Sequence, residues 1–154
     1  VIMVGEMRDL ETIDSCIKAA ETGHLVLSTF HTSNASSTIS RIIGFFPPEM
    51  QENIRRRLAE ILVAVVSLRL VRDKSGESIL PAMEVMYSTS TIKACIRDGN
   101  FDEIEDHIAK GQDEYFMQTM DQHLIQLCKQ GIISIDEAKR ISRSTDLDRK
   151  LMFS

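Results

Sequence analysis

Two stretches decide how this chain folds: VIMVGEMRD at residues 1–9 and GHLVLSTFHT at residues 23–32. Each contains a short run of apolar residues without polar alternation, the pattern of a strand covered on both faces. The first run ends at Gly5 and Glu6, the second at Phe30, His31 and Thr32. Between them Leu10, Ile13, Ile17 and Ala20 recur at helical spacing, with Asp9 placed to cap the helix and Gly23 to stop it. Strand, helix, strand in this order predicts a parallel βαβ unit. In such sheets ligands bind beyond the carboxyl ends of the strands. Glu6 and His31 fall there, a carboxylate and an imidazole able to orient a water or a phosphate.

Outward from this unit, Thr32, Ser33 and Asn34 offer caps for a helix whose apolar face is Ile39, Ile42, Ile43 and Phe46. Pro47 and Pro48 break it. Pro48 suits the first turn of a next helix, expected to run to about Ser67 with Met50, Ile54, Leu58, Ile61, Leu62 and Val65 facing a core. Residues 68–71 and 79–86 read as strands joined through the polar turn 73–77, a predicted antiparallel hairpin. From Ser88 onward the chain reads as short helices: 89–98, 101–110, 117–130, one opened by the capping pattern Ser134-Ile135-Asp136-Glu137, and a last one over 145–153. The expected division is an α/β part at residues 1–87 and a helical part at residues 88–154.

Composition sets the limits. The 154 residues suffice for a real core, and 43% hydrophobic with 27% charged residues is ordinary for a globular chain. A net charge of −5 gives no nucleic-acid surface. Arg55, Arg56 and Arg57, like the cluster at 140–143, lie among acidic neighbours and read as solvated helix faces. Cys16, Cys95 and Cys128 are scattered and odd in number, with no CxxC pair, so neither a zinc site nor disulfides are expected. Buried free thiols fit a reducing compartment. No apolar run reaches the roughly 18 residues of a membrane span, and no signal peptide is visible.

The order of motifs adds a resemblance. VIMVGEMRDLETI, AAETGHLVLSTFHTSNA and RIIGFFP resemble the secretion ATPase superfamily of RecA-like P-loop motors, and within it the branch that retracts type IV pili. By this resemblance GEMRD matches the Walker B element and GHLVLSTFHT the histidine box, with Phe30 where the family has leucine. Residues 91–98, TIKACIRD, resemble the retraction motif AIRNLIRE: Ile92, Ile96 and Arg97 follow its pattern, while Lys93 replaces an arginine and Asp98 a glutamate. MQTMDQ at 117–122 is a further match. The four-cysteine zinc module of pilus-extension and type II secretion ATPases is missing after residue 71.

The resemblance implies a fold, the C-terminal part of a RecA-like α/β core followed by a helical subdomain. It implies ATP hydrolysis with Mg2+, Glu6 polarising the attacking water or holding the magnesium shell, and His31 contacting the γ-phosphate. Gly5 stands at the usual Walker B aspartate position, so Glu6 carries the acidic role. Thr29, Thr32 and Ser33 would fix the ring or relay contacts, and Arg8 and Arg41 are the candidate cationic sensors. It also implies a homohexamer in the cytoplasm, peripheral to the inner membrane, working with the membrane platform protein of a pilus machine that drives twitching motility. Alternatives of other classes are a non-catalytic accessory retraction subunit and a secretion ATPase without the zinc module. No GxxxxGK[ST] occurs in these residues. The chain is therefore expected to be a C-terminal fragment that binds ATP poorly and does not hydrolyse it alone.

Overall fold

The computed structural model describes residues 1–142, 144 and 147. It has the expected α/β architecture, with one parallel strand pair and one hairpin. The chain falls into two compact units, Val1–Ala64 with Tyr87–His107, and Val65–Met86 with Ile108–Ser154. This division follows packing rather than chain order: the hairpin strands cluster with the late helices, while the helix after the hairpin clusters with the first part of the chain.

In the first unit, strand β1 (Ile2–Val4) pairs in parallel with β2 (Val26–Ser28), with Ile2 opposite Val26, Met3 opposite Leu27 and Val4 opposite Ser28. Helix α1 (Leu10–Glu21) joins them. Its N-cap is Asp9, whose side chain accepts from the Thr12 amide, and the chain leaves it through Gly23 at φ 89°. Ile13, Cys16 and Ile17 are its buried face. The strands are not buried as their sequence predicts: Met3 is 77% exposed and Leu27 48%. A parallel strand loses water only when layers cover both faces, and among the described residues β1 and β2 pair only with each other.

Helix α2 (Ala35–Gly44) is fixed at its start by a capping box between Asn34 and Ser37. Helix α3 (Pro48–Ile61) begins on Pro48 and stops earlier than expected. Residues 62–67 share helical spacing with Leu58, but Val63, Val65 and Val66 are β-branched and prefer a pleated surface. Strand β3 accordingly starts at Ala64 and runs to Arg72. Ile54 and Leu58 of α3 are buried as expected, whereas Met50 is exposed. Helix α4 (Ser90–Asp98), capped by Thr89, packs on α3 and ends at Gly99, whose φ of 82° requires glycine-like freedom. A 3-10 turn (Phe101–Glu103) then leads into α5 (Ile104–Lys110).

In the second unit, β3 and β4 (Ile79–Tyr87) form the hairpin. The Asp73 side chain accepts from the Ser75 hydroxyl and the Ser78 amide, closing the polar turn. Helices α6 (Gln112–Tyr115), α7 (Met120–Lys129) and α8 (Ile135–Ile141) follow. Thr119 and Gln122 form a capping box on α7, and Ser134 caps α8. Val71, Ala82, Leu124, Leu127, Ile133 and Ala138 share one core. Of the helix expected over 145–153, Leu147 is helical and buried, and the remainder lies outside the described residues.

Glu137 fastens α8 to β3. Its carboxylate accepts from the Arg72 amide at 2.7 Å and from two nitrogens of Arg140 at 2.7 and 2.8 Å. These bonds, the Arg140 pair above all, hold its carboxyl down at about 2 against an ordinary 4.5. A folded-state value below the unfolded one gives stability that is complete above pH 4.5 and lost as pH falls through about 2. Chemical unfolding followed across that window should show wild type losing more stability than Glu137→Gln; equal losses would remove the carboxylate from the acid response. In the first unit, Asn34→Ala should lower stability by about 1 kcal/mol, the usual worth of an N-cap, as read by urea unfolding. An unchanged midpoint would mean that the capping box carries no net energy.

Candidate functional site

The register of β1 and β2 sets the ends of both strands side by side. The Met7 amide reaches the Thr29 carbonyl at 3.5 Å, and the Thr29 hydroxyl donates to the Gly5 carbonyl. Thr29 thus clips the two strand exits together, one residue short of Glu6 on one side and two short of His31 on the other. The Glu6 carboxylate lies with Oε1 3.4 Å from His31 Nε2. Its Oε2 accepts from Arg8 Nε at 2.6 Å. Asp9 is occupied with capping α1, and Glu6 is the acceptor Arg8 takes.

Arg8 holds the Glu6 carboxyl below the ordinary carboxylate range, first through its hydrogen bond and then through its charge, with His31 and Arg41 adding smaller favourable fields. Arg41, the second candidate sensor, holds the neighbouring backbone. From the last turn of α2 its Nη1 donates to the His31 carbonyl at 3.2 Å. The guanidinium therefore holds the backbone that carries the ring, while the ring itself stays 80% exposed. Thr32 points to α2, where its hydroxyl meets that of Thr38 at 2.6 Å. Thr38 in turn donates to the Asn34 carbonyl. Ser33 lies 3.5 Å from Ser37 by their hydroxyls.

Glu6, Arg8, Thr29, His31 and Arg41 are thus brought together, and Thr32 anchors the segment between β2 and α2. Thr38 is the part that sequence reading passes over. A threonine inside a helix ordinarily bonds back to the carbonyl four residues earlier, and nothing in the local pattern points it at Thr32. His24 sits apart from this group, its Nδ1 at 3.2 Å from both the Thr22 hydroxyl and the Ala19 carbonyl, a helix-end role.

Ile92, Lys93, Ile96 and Arg97 form a separate group on α4. Ile92 and Ile96 are wholly buried. Lys93 and Arg97 both reach Glu60 of α3, at 3.8 and 3.3 Å, and Arg97 offers its carbonyl to Arg55 Nε. Two of the four residues are therefore packing and two lie on the surface, tied to α3.

The donor set bears on what this site can hold. Mg2+ takes oxygen ligands and keeps several waters. Glu6 has one oxygen bound to Arg8, and the Thr29 and Thr32 hydroxyls are both hydrogen-bonded. These residues fit a hydrated ion reached through water, not direct ligation. A carboxylate flanked by two guanidinium groups and an imidazole also fits a phosphate neighbour, whose charge the cations would balance.

The family model described as "Type II/IV secretion system protein" matches residues 1–103, and the chain belongs to that family. Among its relatives, the Neisseria gonorrhoeae "Twitching motility protein" is 39% identical over 146 residues, 95% of this chain and 39% of that protein. The type IV pilus retraction ATPase PilT of Pseudomonas aeruginosa is 41% identical over 139 residues, 90% of this chain and 40% of that protein. A crystal structure of the pilus retraction motor PilT with bound ADP superposes with a TM-score of 0.85 at 37% identity, covering 99% of this chain and 41% of that one. The chain spans about two fifths of the length of the relatives it matches.

Replacing Arg8 with alanine should raise the Glu6 carboxyl toward its ordinary value, as followed by NMR titration of its side-chain carbon. An unmoved titration would mean that the Arg8–Glu6 pair does not form in solution.

Proposed function

We propose that this chain supplies the γ-phosphate side of the ATP site in a type IV pilus retraction motor. The observation that carries the reading is the Glu6–His31 pair at the carboxyl ends of adjacent parallel strands, with Glu6 paired to Arg8. In-line attack on a phosphoryl group needs a positioned water and compensation of charge on the equatorial oxygens. Glu6 accepts a hydrogen bond from that water, its carboxylate oriented by Arg8. His31 offers Nε2 toward the terminal phosphate, its backbone steadied by Arg41. Mg2+, when bound with the nucleotide, would neutralise phosphate charge, and Glu6 would hold it through its water shell.

Residues 1–87 then form a partial RecA-like core and residues 88–154 its helical C-terminal part. The working protein is a homohexamer at the cytoplasmic face of the inner membrane, acting on the pilus platform protein and producing retraction and twitching. Support comes from the relatives named for twitching and pilus retraction and from the fold shared with the ADP-bound motor. Among the described residues no helix is long and apolar enough to cross a membrane. In the α4 group, Lys93 and Arg97 are the side chains open to a partner.

The chain alone, which contains no GxxxxGK[ST] loop, should not turn over ATP. In the complete protein, Glu6→Gln should leave nucleotide affinity largely intact and lower kcat by on the order of 10²- to 10⁴-fold, the usual contribution of a positioned acid or base. Measured steady-state turnover equal to wild type would take Glu6 out of the reaction. A wild-type protein that binds ATP but never hydrolyses it would instead support the accessory, non-catalytic subunit.

A further inference from the structure

The sequence has no cysteine pair of metal-binding spacing, yet the fold assembles a mixed ligand set away from the Glu6–His31 site. Gly99 reverses the chain at the end of α4 through its left-handed conformation. Its amide and that of Asn100 both return to the Cys95 carbonyl, at 3.0 and 2.9 Å. The 3-10 turn runs straight into α5, so Glu103 and His107, four residues apart, share the face turned back toward α4. The Cys95 Sγ, a Glu103 carboxylate oxygen and a His107 ring nitrogen lie within 4.8 Å of one another.

From this arrangement we infer that Cys95, Glu103 and His107 bind a zinc ion that clips α4 to α5. Zn2+ bonds sulfur at about 2.3 Å and nitrogen or oxygen at about 2.0–2.2 Å, which places tetrahedral ligands roughly 3.3–3.8 Å apart. The exposed Glu103 and half-exposed His107 side chains are the ones free to close the triangle on the buried Cys95. One thiolate, one imidazole and one carboxylate select a borderline-soft ion such as zinc over magnesium or calcium. The thiolate and carboxylate together balance its two charges. The fourth position faces solvent at Glu103 and takes a water, as in three-ligand zinc sites.

Neither the Glu103 carboxylate nor the His107 ring has a hydrogen bond or ion pair among the described residues, so both are available to a ligand. On binding, the Cys95 thiol gives its proton to solvent and its sulfur lone pair to the metal, so zinc uptake releases one proton per chain. The clip would fix the end of the helix that presents Lys93 and Arg97.

The test uses cobalt(II), which reports thiolate ligation by a charge-transfer absorption that zinc abolishes on displacement. Wild-type chain titrated with cobalt should develop that absorption at one ion per chain. The double variant Cys16→Ala/Cys128→Ala should keep it and Cys95→Ser should lose it. His107→Gln should weaken zinc binding by about 100-fold, at the top of the range seen for losing even an outer-shell partner. The proposal is overturned by absence of the absorption in wild type, by its loss in the double variant, or by its survival in Cys95→Ser. Unchanged affinity in His107→Gln would remove the imidazole and with it the clip to α5. The wild type and double variant decide the matter should Cys95→Ser fail to fold.

Discussion

The parallel pairing of Val4 with Ser28 is the constraint on which the candidate site depends. Side chains alternate along a strand, so a slip of one residue would turn each strand's exit the other way. In the observed register Glu6 and His31 leave their strands side by side, and the Thr29 hydroxyl on the Gly5 carbonyl locks that spacing. The pair is only three residues long on each side, so the strands cannot hold the register by length. The flanking helices do: α1 is pinned by Asp9 and Gly23 between the strands, and α2 by Asn34 just beyond His31.

Charge is arranged around this frame with a consistent sign. Glu6 is the one carboxylate of the group, and Arg8, His31 and Arg41 all act to keep it ionised. The two arginines do this from different places. Arg8 binds the carboxylate itself, while Arg41 holds the carbonyl of His31 and leaves the imidazole open. In the proposed role, this excess of cations over a single carboxylate would balance the further negative charge of a phosphate.

Much of this was legible in the residues. The strand–helix–strand unit follows from apolar runs around a helical period, and the caps at Asp9, Asn34 and Ser134 follow from residue type. Two kinds of feature were not. The end of α3 was misplaced because Leu58, Ile61, Leu62 and Val65 satisfy a helical period, whereas the valines from Val63 to Val66 settle the matter in favour of the strand. Contacts between distant turns were also hidden. The meeting of Thr32 with Thr38, the hold of Arg41 on His31, and the approach of Cys95 to Glu103 and His107 all depend on how helices turn back after their caps. The burial expected of β1 and β2 fails for a simpler reason, since an apolar strand says what cover it requires and not which residues supply it.

The central claim is that Glu6 and His31 face the terminal phosphate of ATP. A crystal structure of the complete protein with a non-hydrolysable ATP analogue and Mg2+ tests it most directly. The expected result is a Glu6 oxygen within about 3.2 Å of the water in line with the γ-phosphate, and His31 Nε2 within the same reach of a γ-phosphate oxygen, directly or through one water. A terminal phosphate bound out of reach of both side chains would contradict the account.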